Sequence, residues 1–257
     1  MSQTTDAVKK SGWFKRLFRL GLKCTAWFIG ISVMWVLLLK WVNPPFNFLM
    51  IQQAIVNEGS QQREWVRYDD ISFYMKLAVV SSEDQNFMKH YGIDFGAIKK
   101  AMKYNEKNKG KKVRGASTIS QQVAKNVFLW PGRSYVRKAF EVWFTLLIET
   151  FWSKERILEV YLNIAETGVN TFGVQAAAQK YYKKDAINLN REQAAMITAS
   201  IPSPRKSNPA KPSAYLKKRQ QHVLRQMRFM GNDYFIRYGG DTAPPGKQKS
   251  KKKESKE

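Results

Sequence analysis

The most apolar stretch of the chain lies near its start. Residues 24–39, CTAWFIGISVMWVLLL, carry no charge, and Trp41 and Val42 extend the run past Lys40. Leu17, Phe18, Leu20 and Leu22 lengthen the apolar surface on the other side, between basic residues. The uncharged core is slightly short of the roughly 20 residues that span a bilayer. Lys23 and Lys40 can close the gap by reaching to the two interfaces, with Trp27 and Trp41 as aromatic anchors. Lys9, Lys10, Lys15, Arg16 and Arg19 precede the run with Asp6 as the only acid, which predicts a cytoplasmic N-terminus. No small-x-small cleavage site follows, since KWVNPPFNF is bulky. The pattern therefore predicts a basic cytoplasmic segment over 1–19 and an uncleaved signal anchor over 20–42.

After this run the period of the apolar positions becomes helical. NPPFNF (43–48) breaks the first helix, because proline cannot donate a backbone hydrogen bond. Phe73, Leu77, Val80, Asp84 and Phe87 recur at helical spacing, and so do Val136, Phe140, Trp143, Leu147 and Phe151, widened by Phe144 and Ile148. Ile157, Tyr161 and Ile164 share a third face. Asn190 and Gln193 form a capping-box pattern that opens REQAAMITASI, which Pro202 and Pro204 end. No segment alternates over five or more residues, so a predominantly α domain is predicted over 43–235. KYNEKNKGKKVRG (103–115) reads as a mobile loop, and 236–257 as a basic disordered tail.

Charge narrows the partners. The 257 residues include 44 Lys and Arg against 20 acids, a formal charge of +24. That excess points to an anionic partner: a membrane surface, nucleic acid or a phosphate-bearing substrate. It is concentrated at the termini and over 99–114, and no nucleic-acid motif accompanies it, so anionic membrane lipids are expected and nucleic acid is not. Cys24 is the single cysteine and excludes an intramolecular disulfide; with only two histidines, zinc-site spacings are missing too. No cofactor is evident.

Three polar blocks interrupt the apolar pattern. In SSEDQNFMKHYG (81–92), Glu83 borders the apolar stripe between Val80 and Phe87, where partial burial would raise its pKa toward that of a working base. Asp84 and His90 stand nearby on the same predicted helix, to position it and shape a cleft. In GASTISQQVAKN (115–126), Gly115, Ser117 and Thr118 lead into two i, i+4 pairs, Gln122 with Asn126 and Gln121 with Lys125, a face that could hold sugar hydroxyls and a phosphate, helped by free amides at the helix N-terminus. In RKAFE (137–141), Arg137 and Lys138 lie within helical reach of Glu141, a second carboxylate held between cations. Paired carboxylates in unlike environments suit glycosyl transfer or glycoside cleavage.

Taken in order, these blocks resemble the peptidoglycan glycosyltransferases, the membrane-anchored glycan polymerases also found as one half of class A penicillin-binding proteins. KERILEVYLN, GVNTFGVQAAAQKYY and ASIPSP continue the resemblance, which covers most of residues 65–215. It implies an all-α fold: a lysozyme-like lobe beside a small membrane-associated jaw lobe spanning about Lys89 to Lys112. It implies Glu83 as general base toward the C4 hydroxyl of lipid II and Glu141 as the second essential carboxylate. Lys125, Arg137 and Lys138 would hold the pyrophosphate of the growing lipid-linked glycan, and Ser117, Gln121 and Asn126 would line the substrate. Arg114 and Arg133 are further phosphate candidates. A divalent cation could assist the pyrophosphate, and cell-wall synthesis or division proteins are conceivable partners. Lys154, Glu159 and Asn163 read as fold-forming. Ser203 and Lys206 match the spacing of a transpeptidase nucleophile only formally, with no KTG-like segment, so a monofunctional polymerase of the inner membrane is implied. A lytic, lysozyme-like hydrolase is the rival reading, but would need neither the cations around Glu141 nor an anchor.

Overall fold

The computed structural model describes residues 3–56, 60–109, 113–132 and 134–240. The chain divides into two units, Met1–Asn43 and Pro44–Glu257. The first is one helix, α1 (Gln3–Trp41). Its segment Lys15–Trp41 runs for 27 residues, with a mean hydropathy of 1.9 in its most apolar window, and is long and apolar enough to cross a membrane. The helix ends ahead of Pro44 and Pro45, as their missing donors require.

The second unit is built from α2 (Phe48–Val56), α3 (Phe73–Glu83), α4 (Phe95–Lys107), α5 (Ile119–Phe128), α6 (Tyr135–Phe151), α7 (Lys154–Ile164), α8 (Val174–Tyr182), α9 (Arg191–Ser200), α10 (Ala214–Met230) and α11 (Tyr234–Arg237). A small sheet adds β1 (Gln62–Arg63), β2 (Glu166–Gly168) and β3 (Thr171–Phe172) in the order β1-β3-β2. β3 runs parallel to β1 and antiparallel to β2. Strands of two or three residues are too short to show an alternating pattern, and the fold is predominantly helical as predicted.

The core forms where α3 packs on α9 and α10, and where α5 packs on α6 and α7. Met75, Leu77, Ala78, Val79 and Val80 of α3 are all at 0 % exposure, so this helix is buried nearly all round. Most helix starts are set by one device: Ser72, Thr118, Ser134, Ser153, Asn190 and Ser213 each accept the amide three residues on. Each such cap satisfies a donor the helix would leave bare, a contribution of about 1 kcal/mol.

Four expectations are corrected. The helix through Val80 stops at Glu83; Asp84 is extended, at φ −158°, and residues 84–92 form turns, so Phe87 reaches the core from a turn. The segment from 103 is helical through Lys107, as part of α4, which Asp94 caps by accepting the Ala97 amide at 2.7 Å. α11 crosses the boundary placed at 235 and buries Tyr234 and Phe235. The remainder of the predicted tail, from 241, and residues 110–112 lie outside the described residues. On α6 the buried face is also rotated. Val136 is 63 % exposed, whereas Arg137, Glu141, Phe144, Thr145, Ile148 and Glu149 face inward.

Candidate active site

Glu83 ends α3 at the wall of an open cleft of about 200 Å³, whose lining includes Asn86, Lys100, Arg114, Gly115 and Ser117. The side chain is half-buried. Burial raises its pKa above that of an ordinary glutamate, and the charge of Asp84 adds to the rise. Hydrogen bonds from Gln122 and Ser82 and the charge of Arg219 oppose it without cancelling it. Gln122 Nε2 donates to Glu83 Oε2 at 3.2 Å, and the Tyr161 hydroxyl donates to Gln122 Oε1 at 3.5 Å. Tyr161 is buried, and both burial and the neighbouring Glu83 and Asp84 push its pKa up, so its hydroxyl stays a donor. The carboxyl is thus held by a chain of neutral donors, and its proton affinity is tuned by burial rather than by a directly bonded cation.

Asp84 does different work. His90 Nε2 donates to both its oxygens, at 2.9 and 3.0 Å, and the Ile119 amide donates to Oδ2 at 3.0 Å. A carboxylate therefore sits on the first turn of α5, where the helix dipole favours it. Thr118 Oγ1 accepts the Gln121 amide and donates to Gly92 O at 2.6 Å, which closes the turn onto α5. Gly92 has φ +79°, and a Cβ there would lie 2.6 Å from Thr145 Cγ2, so only glycine fits. The idea of a phosphate on free amides at this helix end is corrected: the Ile119 and Gln121 amides are already taken by Asp84 and Thr118.

The two adjacent glutamines of α5 separate. Gln121 is buried, and its Oε1 accepts the Thr118 amide in a capping box, so it supports the helix start. Gln122 is the one that reaches the cleft carboxyl. Lys125 lies one turn further, roughly 5 Å along the axis. Its pKa is lowered by desolvation first; Glu141 pulls it back up while Arg137 and Lys138 add repulsion. Glu141 is only 3 % exposed, and Arg137 Nη1 and Lys138 Nζ donate to its two oxygens at 2.9 and 2.5 Å. Isolated on a surface such pairs contribute little; here the carboxylate is buried, and losing a partner would strand its charge. Asn126 lies beside Lys125, facing a second, apolar groove. Arg133 lies outside the described residues.

The structure therefore brings Glu83, Asp84, Arg114 and Ser117 to one cleft, and gathers Lys125, Arg137, Lys138 and Glu141 further along α5 and on α6. His90 stands behind Asp84. Sequence reasoning missed Tyr161, Arg219 and the partnership of Gln122 with Glu83. It also missed a buried network in which Lys154 Nζ donates to Glu149 Oε1 at 2.8 Å and to His90 O at 2.7 Å, with Ser120 Oγ also on Glu149. The phase of Phe144 and Ile148 carried the signal, since Glu141 and Glu149 share their face. Glu159 and Asn163 bond the Tyr68 amide and both backbone groups of Val66, in keeping with a fold-forming role.

Comparison with known proteins finds relatives over most of the chain. The family model described as transglycosylase matches residues 50–228. A biosynthetic peptidoglycan transglycosylase of Pseudomonas entomophila (strain L48) is 48 % identical over 225 residues, covering 86 % of this chain and 94 % of that protein. The protein of the same description from Pseudomonas aeruginosa (strain PAO1) is 46 % identical over 229 residues, covering 87 % of this chain and 98 % of its own length. The chain belongs to the transglycosylase family and is a glycosyltransferase enzyme.

Proposed function

We propose that this enzyme polymerises the glycan strands of peptidoglycan. It transfers a growing lipid-linked glycan onto the C4 hydroxyl of lipid II and releases undecaprenyl pyrophosphate. The observation that carries the reading is the contrast between two carboxylates. Glu83 stands at a cleft with a raised proton affinity, and Glu141 is buried with a cation on each oxygen.

In this reading Glu83 takes the proton of the acceptor hydroxyl as the new C–O bond forms at the anomeric carbon. The bond to the pyrophosphate oxygen breaks on the opposite face, so configuration inverts. Negative charge grows on the leaving pyrophosphate, and Lys125, Arg137 and Lys138 stabilise it, with Glu141 holding the last two in place. Arg114 and Ser117 contact substrate in the cleft. Hydrolysis would not call for three cations beside the second carboxylate. Ser203 and Lys206 carry no transpeptidase chemistry, and peptide crosslinking is left to other enzymes. Residues 20–42 anchor the enzyme in the inner membrane, with 1–19 cytoplasmic and the domain from 43 periplasmic, facing its lipid-borne substrate.

The test is Glu83→Gln, assayed with lipid II and the purified full-length chain. Glycan synthesis should fall at least about 100-fold while lipid II binding persists. Near-normal polymer from this variant removes Glu83 as base. Glycan shortening with no need for a lipid substrate would establish the hydrolase instead.

A further inference from the structure

The chain beyond α10 folds back on the turn that follows Glu83. Gly231, at φ +80°, reverses its direction, and Arg191 of α9 donates to Asn232 Oδ1 at 2.7 Å, which seats the start of α11. This helix lies past residue 228, where the family match ends. Its Tyr234 and Phe235 are 3 % and 1 % exposed, and Phe235 meets Phe73 of α3 edge-on with ring centres 6.1 Å apart. The Gly240 amide donates back to Phe235 O at 2.8 Å, so the segment closes on itself. The Tyr234 hydroxyl donates to Gln85 O at 3.1 Å and accepts the Met88 amide at 3.3 Å. Those two backbone groups stand three residues apart, the pair that would bond to each other in an ordinary β-turn. Here a phenol oxygen sits between them and keeps the turn wide.

The backbone so held belongs to the cleft wall, since Asp84, Gln85 and Asn86 line it together with Glu83. We propose that Tyr234 is a positioning residue for the transfer reaction: its hydroxyl spaces the 85–88 turn so that Glu83 keeps its half-buried setting and its aim at the acceptor hydroxyl. The inference rests on the role of Glu83 proposed above and adds a residue to it. Burial, with the charge of Asp84 behind it, pushes the Tyr234 pKa up to about 12, so the hydroxyl keeps its proton across the neutral range. Without the hydroxyl, Gln85 O and the Met88 amide must close on each other or take up water. Either change loosens the packing that keeps water from Glu83, and with it the rise in proton affinity that burial causes. The charged and titratable groups facing Glu83 are Asp84 beside it, Arg219 of α10, Tyr161 of α7, and Lys100 and Arg114 in the cleft lining. Tyr234 itself faces Asp84 and Tyr238. Replacing a neutral tyrosine by phenylalanine alters none of these charges, so a shift in the titration of Glu83 would report its surroundings.

The test compares purified full-length wild type, Tyr234→Phe and Phe235→Leu in polymerisation of lipid II across pH, with urea midpoints measured alongside. In Tyr234→Phe, kcat should fall at least about tenfold with KM within about twofold of the wild type. The acid limb of kcat/KM should move by at least about 0.5 pH unit toward the 4.5 of an ordinary glutamate. Phe235→Leu thins the packing of α11 on α3 but leaves the hydroxyl bonds in place. Its urea midpoint should fall while kcat and the acid limb stay near those of the wild type. An unmoved limb or a full kcat in Tyr234→Phe overturns the inference and leaves Glu83 as the base. The same changes in Phe235→Leu make α11 a brace for the fold alone and overturn it too. A wild type that makes no polymer from lipid II overturns the polymerase reading and this role together.

Discussion

At the scale of single residues, Glu83 and Lys76 are both titratable groups taken partly out of water, and they are put to different ends. For Glu83 the raised pKa predicts a pH profile. In the role proposed for it, Glu83 must be ionised in the free enzyme, so kcat/KM should climb with pH along an acid limb centred above the 4.5 of an ordinary glutamate. Arg219→Ala removes a charge that favours the carboxylate, so it should move that limb to higher pH; an unmoved limb would show that another group is titrating. Lys76 is buried in α3, with Nζ donating to Tyr68 O at 2.9 Å, and desolvation lowers its pKa to about 8 against attraction from Asp69, Glu155 and Asp70. Between pH 8 and 10.5 the unfolded chain binds the proton that the folded one has released, so stability due to Lys76 rises with pH across that window. Urea midpoints of wild type and Lys76→Met, compared at pH 7.5 and 10, should therefore shift in favour of the wild type by up to on the order of 3 kcal/mol. The raised proton affinity of Glu83 was legible in the sequence because it borders an apolar stripe. The lowered one of Lys76 was not, because a lysine in an apolar helix gives no sign of where its ammonium ends.

At the scale of elements, the structure depends on how helix ends meet. Besides Tyr234, the turn after α3 is fixed from three sides: by Asp84 on the first turn of α5, by Thr118 on Gly92, and by Lys154 on His90 O. Lys154→Met should cost about 3 kcal/mol, because Glu149, 7 % exposed, would lose its cation. Adding Glu149→Gln should recover part of that loss; simple additivity in a double-mutant cycle would deny the coupling. The caps at Asn190 and the end of α1 could be read from local chemistry, since Asn-x-x-Gln and Pro-Pro act within a few residues. The stop at Glu83 could not. The apolar spacing continues through Asp84 to Phe87, and what ends the helix is a bond from Asp84 to a residue 35 positions away. Likewise RKAFE resembles a surface ion pair in sequence, and only the packing of α5 on α6 buries it.

At the scale of the whole molecule, the positive charge and the exposed apolar groups coincide on α4. Among its thirteen residues only Ala101 is buried, while Phe95, Met102 and Tyr104 are exposed among Lys99, Lys100, Lys103 and Lys107. A polar, lysine-rich composition suggested a loop from 103; the Asp94 cap and the good helix formers that follow make it a helix instead. The apolar spacing of Phe95, Ile98 and Met102 was visible, but its partner was not, since among the described residues Phe95 and Met102 stay exposed. The consequence is one of local stability. A helix with one buried side chain has little to lose by opening, so its amides should exchange with solvent far sooner than those of α3. On vesicles rich in anionic phospholipid, exchange over 95–107 should slow at least about tenfold relative to neutral vesicles, with α3 unchanged. Ala97 and Lys100 of this helix line the cleft beside Glu83, so a bilayer that held α4 would also firm one wall of that cleft.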